Sequence, residues 1–197
     1  GNNAINVNLF VGSRVLVENV AGQDIELVQT TEYPWNGKVS MVVNPRPTRT
    51  VYRSDAVGQP PVRPLTLRIR VPAADASSLY TAAPVANGFV GAVTVNGQRV
   101  TPKMVEGYAE IARSWKKGDT VAFELPLPAQ FVRGSDKVEA TRGKVAIRRG
   151  PLVYNIEQVD QDITQTVDTS VALTPEWRPD LLAGVTVLKG KFTNGDA

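Results

Sequence analysis

Leu65-Thr66-Leu67-Arg68-Ile69-Arg70-Val71 alternates apolar and polar residues without a break. A strand turns successive side chains to opposite faces, so this stretch sets four aliphatic groups on one side and Thr66, Arg68 and Arg70 on the other. That pattern suits a sheet with one packed face and one wet face. The same period returns at Val121, Phe123, Leu125 and Leu127, set against Ala122, Glu124 and Pro126. Val39, Met41 and Val43 repeat it, as do Val145 and Ile147. Shorter runs at 7–11, 14–18, 25–30, 92–95, 109–112, 152–156 and 185–188 read as further strands. Pro126 and Pro128 end the Phe123 strand or set that end on an edge, because proline cannot donate to a ladder.

The punctuation between these runs is that of hairpins. Asn96-Gly97 separates Val93-Thr94-Val95 from Gln98-Arg99-Val100. Both residues accept the positive φ of a type I′ turn. Asn36-Gly37 is expected to make a second such turn and Lys117-Gly118-Asp119 a third, while Gly150-Pro151 breaks the run from Val145 to Tyr154. Helical signals are sparse. Residues 75–80 suit one turn capped by Asp75 or Ser77. Thr174-Pro175-Glu176-Trp177 suits the opening of a short helix through Leu181-Leu182, with Pro175 at the first helical position. Residues 45–64 read as a long proline-studded loop, 160–170 as an irregular polar segment, and 130–137 as a linker or turn around Gly134-Ser135-Asp136.

Many short strands and no helical layer predict an all-β fold. The expected architecture is an antiparallel, jelly-roll-like β-sandwich over residues 1–128. A smaller and incomplete β-sandwich is expected to follow over 129–197.

The 197 residues include no Cys and no His. That excludes a Ser-His-Asp or Cys-His triad and a zinc site built on thiolate or imidazole. Lys and Arg number 22 against 19 Asp and Glu, a surplus of three that does not argue for a nucleic-acid partner. No apolar run approaches the about 20 residues of a membrane span. Gly1-Asn2-Asn3, without a starting Met, suggests a piece of a longer chain.

Several segments, in order, resemble one family. They are Val7-Asn8-Leu9-Phe10-Val11, Gln29-Thr30-Thr31-Glu32-Tyr33-Pro34-Trp35-Asn36-Gly37, Leu67-Arg68-Ile69-Arg70-Val71-Pro72 and Val93-Thr94-Val95-Asn96-Gly97. Ala112-Arg113-Ser114-Trp115-Lys116-Lys117-Gly118-Asp119 follows, then Gly143-Lys144-Val145-Ala146-Ile147-Arg148-Arg149-Gly150-Pro151-Leu152-Val153-Tyr154, the sharpest of the set. Together they look like the C-terminal part of the bacterial β-L-arabinofuranosidases, glycoside hydrolase family 127. The resemblance implies an upstream (α/α)6 barrel carrying a cysteine nucleophile on a Cys/Glu-ligated zinc and a glutamate acid/base, with two β-sandwich domains after it. No position here matches the barrel motifs, so no catalytic residue carries over and no cofactor is expected within these residues. Asn155 stands where family members often carry Cys, directly after the tyrosine of the Gly-Pro-Leu-Val-Tyr segment.

Candidate site residues are therefore ones of binding. Tyr33, Trp35 and Trp177 suit stacking on sugar rings, against the competing reading that they are buried in a core or a domain interface. Trp115, at the end of an alternating run, is expected in the core. Glu18, Asp24, Glu26, Glu32, Glu106, Glu110, Glu124, Asp160, Asp162 and Glu176 are carboxylates of the right type for glycoside hydrolysis, but none sits in a recognisable pair. Arg46, Arg49, Arg53 and Arg63 suit a solvated loop better than an anion site. Asp160, Asp162 and Asp168 match no calcium loop. The expected partners are the upstream catalytic barrel, with carbohydrate and a second copy as further candidates. The resemblance implies a secreted or periplasmic parent enzyme acting on L-arabinofuranosides, in which this region is accessory. The alternatives are a carbohydrate-binding module and a cell-surface interaction domain.

Overall fold

The computed structural model describes residues 3–46, 63–72, 77–85, 88–159 and 162–193. It divides the chain into two units, the first of Gly1–Ala73 and Asn87–Pro126, the second of Ala74–Ala86 and Leu127–Ala197. Among the described residues there is no α-helix; one 3-10 turn, Glu139–Thr141, interrupts the strands.

The first unit is a β-sandwich. One sheet has the order β1 (Ala4–Val7), β5 (Pro64–Arg70), β10 (Tyr108–Ser114), β9 (Lys103–Val105). The other runs β2 (Ser13–Val20), β3 (Gln23–Thr31), β4 (Lys38–Arg46), β11 (Asp119–Glu124), β7 (Val93–Val95), β8 (Gln98–Val100). The period-two sets meet between them. Leu65, Leu67 and Ile69 of β5, with Ile5, Val7, Ala109 and Ile111 beside them, form one buried cluster with Ile25, Met41, Val43, Val121 and Phe123 of the other sheet. Burying an aliphatic or aromatic side chain of this size stabilises the fold by about 1.5–3 kcal/mol each. Trp115 is fully buried, as its position predicts, and its Nε1 donates to the Leu65 carbonyl at 3.1 Å. One pairing departs from an all-antiparallel reading: β1 runs parallel to β5, with Ile5 opposite Leu67 and Val7 opposite Ile69. A parallel pair needs a long crossover, and here β2, β3 and β4 fill it from the opposite sheet.

The turns sort by geometry. Asn96 and Gly97 have φ of 53° and 76°, and Val95 faces Gln98 across a two-residue hairpin. Gly118 and Gly150 also take positive φ, as their turns require. Glu106-Gly107, with φ of 48° and 81°, closes β9 onto β10 in the same way, a turn not expected from sequence. Asn36-Gly37 is corrected: neither residue has positive φ, and they end a loop of residues 32–37 rather than form a tight turn. Gly37 serves a close approach instead. Leu125 N–H donates to the Gly37 carbonyl at 2.8 Å, leaving no room for a side chain.

The second unit carries a sheet of order β14 (Leu152–Tyr154), β13 (Val145–Arg149), β12 (Ala129–Gly134), β6 (Tyr80–Ala82). Two ribbons accompany it: β15 (Thr166–Val167) with β18 (Phe192–Thr193), and β16 (Thr174–Arg178) with β17 (Val185–Lys189). Three expectations are corrected here. The linker around Gly134 is mostly β12, an inner strand between β13 and β6. The short helix through Leu182 is β16 and a loop: Pro175 sits in a two-stranded ribbon, where its missing N–H is tolerated. Tyr80, read as the end of a helical turn, begins β6; Asp75 lies outside the described residues. Pro45, Arg46 and Pro64 prove to be strand residues, while Arg49, Arg53 and Asp160 lie outside the described residues.

Candidate functional site

Tyr33 and Trp35 share the 32–37 loop between β3 and β4. The loop is tied to itself: Trp35 N–H donates to the Glu32 carbonyl at 2.8 Å, Tyr33 N–H to Thr31 Oγ1 at 3.0 Å, and Lys38 N–H to Asn36 Oδ1 at 2.9 Å. Tyr33 is half-buried and packs on the core edge-on to Phe10, with ring centroids 5.9 Å apart. Burial pushes its phenol above the usual range, so it stays neutral. Phe10 in turn meets Phe123, and Phe123 meets Phe89, in T-shaped contacts at 5.6 and 5.0 Å. Tyr33 therefore extends an aromatic cluster of the core. Trp35 is half-buried as well.

Trp177 belongs to the second unit and is 51% exposed. It sits on β16 opposite Thr186. A β-carbon on Gly184 would fall 2.7 Å from its Cζ2 and 2.8 Å from Cη2, so the glycine backbone lies directly against the indole. That approach comes at the end of three successive positive φ values, 49° at Leu182, 64° at Ala183 and 110° at Gly184. The next residue along the strand, Arg178, grips Asp180 through Nε at 3.0 Å and a terminal nitrogen at 2.7 Å. Those hydrogen bonds hold the Asp180 carboxyl down at about 2. The arrangement offers a fixed apolar ring, half open to solvent, which can stack on a sugar.

Asp24, Glu26, Glu32, Glu110, Asp162, Asp168 and Glu176 are occupied in structural roles. Glu26, on the outward face of β3, accepts from Arg46 at 2.7 Å and from Asn44 at 3.1 Å, with Arg14 at 3.5 Å. Burial works to raise its pKa, but the bond from Asn44 and the charges of Arg46 and Arg14 outweigh it and hold the group below the usual range. Glu110 pairs with Arg68 at 2.9 Å, Glu176 with Lys189, and Asp24 accepts from Asn19 N–H at 2.9 Å. Asp162 and Asp168 each cap their own turn, receiving Thr164 and Ser170. Asp119, not singled out from sequence, is buried. It accepts from Lys116 N–H at 2.9 Å and Asn96 Nδ2 at 2.8 Å, with Arg113 at 3.7 Å.

Glu124 differs. It lines an open depression of about 340 Å³ on the outward face of the six-stranded sheet, with Lys38, Ser40, Thr94, Ala92, Ala122 and Val90. Small side chains on adjacent strands make the room. One carboxylate in that lining does not supply the two that glycoside hydrolysis needs. The chain has no thiolate or imidazole, and no three Asp or Glu converge among the described residues, so these residues do not fit the zinc centre the resemblance implies for the barrel.

The profile of the β-L-arabinofuranosidase GH127 middle domain matches residues 4–127, and that of the glycoside hydrolase family 127 C-terminal domain matches 129–186. A non-reducing end β-L-arabinofuranosidase of Bifidobacterium longum subsp. longum is 30% identical over 180 residues, 85% of this chain and 23% of the relative. A solved GH127 β-arabinofuranosidase superposes with a TM-score of 0.78 at 29% identity, over 97% of this chain and 29% of that one. A GH127 β-L-arabinofuranosidase from Geobacillus stearothermophilus T6 gives 0.70 at 31% identity, over 96% and 26%. The chain thus spans about a quarter of the length of these relatives.

Proposed function

The chain belongs to glycoside hydrolase family 127, and from that membership we propose that it is the non-catalytic sandwich region of an enzyme that releases L-arabinofuranose. The observation that carries this reading is the run of two profiles, middle and then C-terminal, along nearly the whole chain. A domain described as the middle one has another before it in the family, and that domain is where the reading puts the chemistry. Three facts about the residues in hand agree. There is no Cys to act as the nucleophile. The described carboxylates with close partners serve arginines, lysines and turns. The packed core is that of a rigid support. The role of the sandwich is then to hold the preceding barrel. The test is turnover of an aryl L-arabinofuranoside by the isolated chain. No hydrolysis is expected; activity that survives purification, from a chain without Cys or His, overturns the reading.

A second reading rests on Trp177. Its half-exposed indole, backed by the Gly184 main chain, suits a carbohydrate-binding surface. Calorimetric titration with arabinan, xylan and galactan fragments decides it: heat that disappears in Trp177→Ala supports it, and flat titrations remove it.

A further inference from the structure

A loop that is held by polar bonds normally turns its apolar residues inward. Loop 8–12 of the first unit holds two of them outward. Gln29 Nε2 donates to the carbonyl of Leu9 at 3.2 Å and to that of Val11 at 2.7 Å. Ser13 Oγ donates to the same Val11 carbonyl at 3.0 Å, and Tyr108 donates its hydroxyl to Asn8 Oδ1 at 2.7 Å. Phe10, between the two clamped carbonyls, points into the aromatic cluster with Tyr33 and Phe123. The loop is therefore clamped at the Leu9 and Val11 carbonyls and anchored through the Asn8 and Phe10 side chains. Yet Leu9 is 75% exposed and Val11 55%. Val15, two positions along β2 from Ser13 and so on the same strand face, adds a third aliphatic group at 49%. Gln29 itself is only 9% exposed, and its Oε1 has no hydrogen-bond partner among the described residues. A buried amide is thus committed, incompletely satisfied, to presenting aliphatic carbon to solvent.

We propose, granting the accessory role above, that Leu9, Val11 and Val15 form the face on which the preceding domain of the enzyme docks. The occupant follows from the connection. The middle-domain match begins at residue 4 and β1 leads straight into this loop, so a domain joined before it enters the sandwich through the strand that Leu9 follows. Attachment in one chain makes docking intramolecular, which raises the effective concentration of that domain at the loop. Because the clamps order the loop in advance, docking does not have to order it. Bare aliphatic groups suit a protein surface; sugar recognition wants rings and convergent polar groups.

Hydroxyl-radical footprinting reads side-chain exposure directly and compares the 197-residue chain with the longer polypeptide that includes the preceding domain. Labelling of Leu9 and Val11 is expected to fall several-fold in the longer polypeptide. Leu9→Asp with Val11→Asp is expected to leave Val15 as strongly labelled in the longer polypeptide as in the isolated chain and to make the preceding domain melt separately, while the isolated chain keeps its own melting temperature. Equal labelling of Leu9 and Val11 in both chains overturns the proposal. If protection appears elsewhere, at Trp177 for example, the accessory role stands and this face is wrong; if no residue is protected, both fail. Labelling of the isolated chain that falls as its concentration rises assigns the face to a second copy and also overturns the proposal.

Discussion

A β-carbon built on Gly37 would stand 2.1 Å from the carbonyl oxygen of Leu125. Backbone cannot move aside as a flexible side chain can, so Gly37→Ala is expected to cost about 1–3 kcal/mol, the range for an overpacked core. Urea unfolding measures it; a loss below half a kcal/mol would mean that β11 shifts freely. Gly97 has the same Asn before it but open space around its missing Cβ, and a φ of 76°. There the cost of Ala is conformational alone, about 1–2 kcal/mol. The two Asn-Gly pairs are alike in sequence. Only the tertiary approach of a strand 88 residues away in the chain from Gly37, at Leu125, separates them. Glu26 makes a different kind of prediction. Its folded pKa lies below the unfolded 4.5, so its charge stabilises the fold fully above that value. The contribution is lost as pH falls through the lower folded value. Wild type should therefore exceed Glu26→Gln in stability at pH 7 and lose that lead progressively as the pH is taken down from 4.5. A gap independent of pH would show that Arg46 and Arg14 do not depend on the charge.

At the scale of elements, legibility followed contrast between faces. β4, β5 and β11 alternate aliphatic and polar residues and were readable in advance, down to which residues point inward. β12 and β16 were not. Ala129-Gln130-Phe131-Val132-Arg133-Gly134 buries Gln130 and leaves Phe131 and Val132 half-buried, so its period carries no hydrophobic signal. Thr174-Pro175-Glu176-Trp177-Arg178 exposes its tryptophan and forms a ribbon through its partner Val185–Lys189, a pairing local patterns do not show. The candidate residues divide in the same way. Trp177 is singled out by residue type alone, and it is the one of the three candidate aromatics that stands half in solvent. The Gln29 clamp on loop 8–12 was not legible in advance, because it joins residues 18 and 20 apart through one side chain. That clamp yields its own expectation. Gln29→Leu removes the donor to both carbonyls and leaves them to water in a loop that can then open, at a cost of about 1–3 kcal/mol. Phe10 is expected to loosen with it, visible as faster exchange of the loop amides, while the β4 and β11 amides stay slow.

For the whole molecule, the decisive fact is where the apolar core lies. Every fully buried apolar side chain among the described residues belongs to the first unit, from Ile5 to Leu125. Among the described residues of the second unit the buried side chains are Gln130 and Thr186, with Ile147, Tyr154 and Val187 half-buried at best. Gln130 Nε2 donates to the Ala83 carbonyl and its Oε1 accepts from Arg148 Nε at 3.1 Å, so a polar group stands where a core residue would. Hydrophobic burial scales with apolar area removed from water, while ordering the backbone costs a similar amount per residue in either unit. The second unit therefore has less to offset its conformational entropy. Local opening free energies track buried apolar packing, so the two units are expected to open separately. Native-state hydrogen exchange should find β4, β5 and β11 exchanging only through global unfolding. Amides of β13, β14, β16 and β17 should exchange through a cheaper, partial opening. Denaturant should lower the first set steeply and the second shallowly. If both sets converge on one free energy and one slope, the second unit is stabilised by something other than its own core.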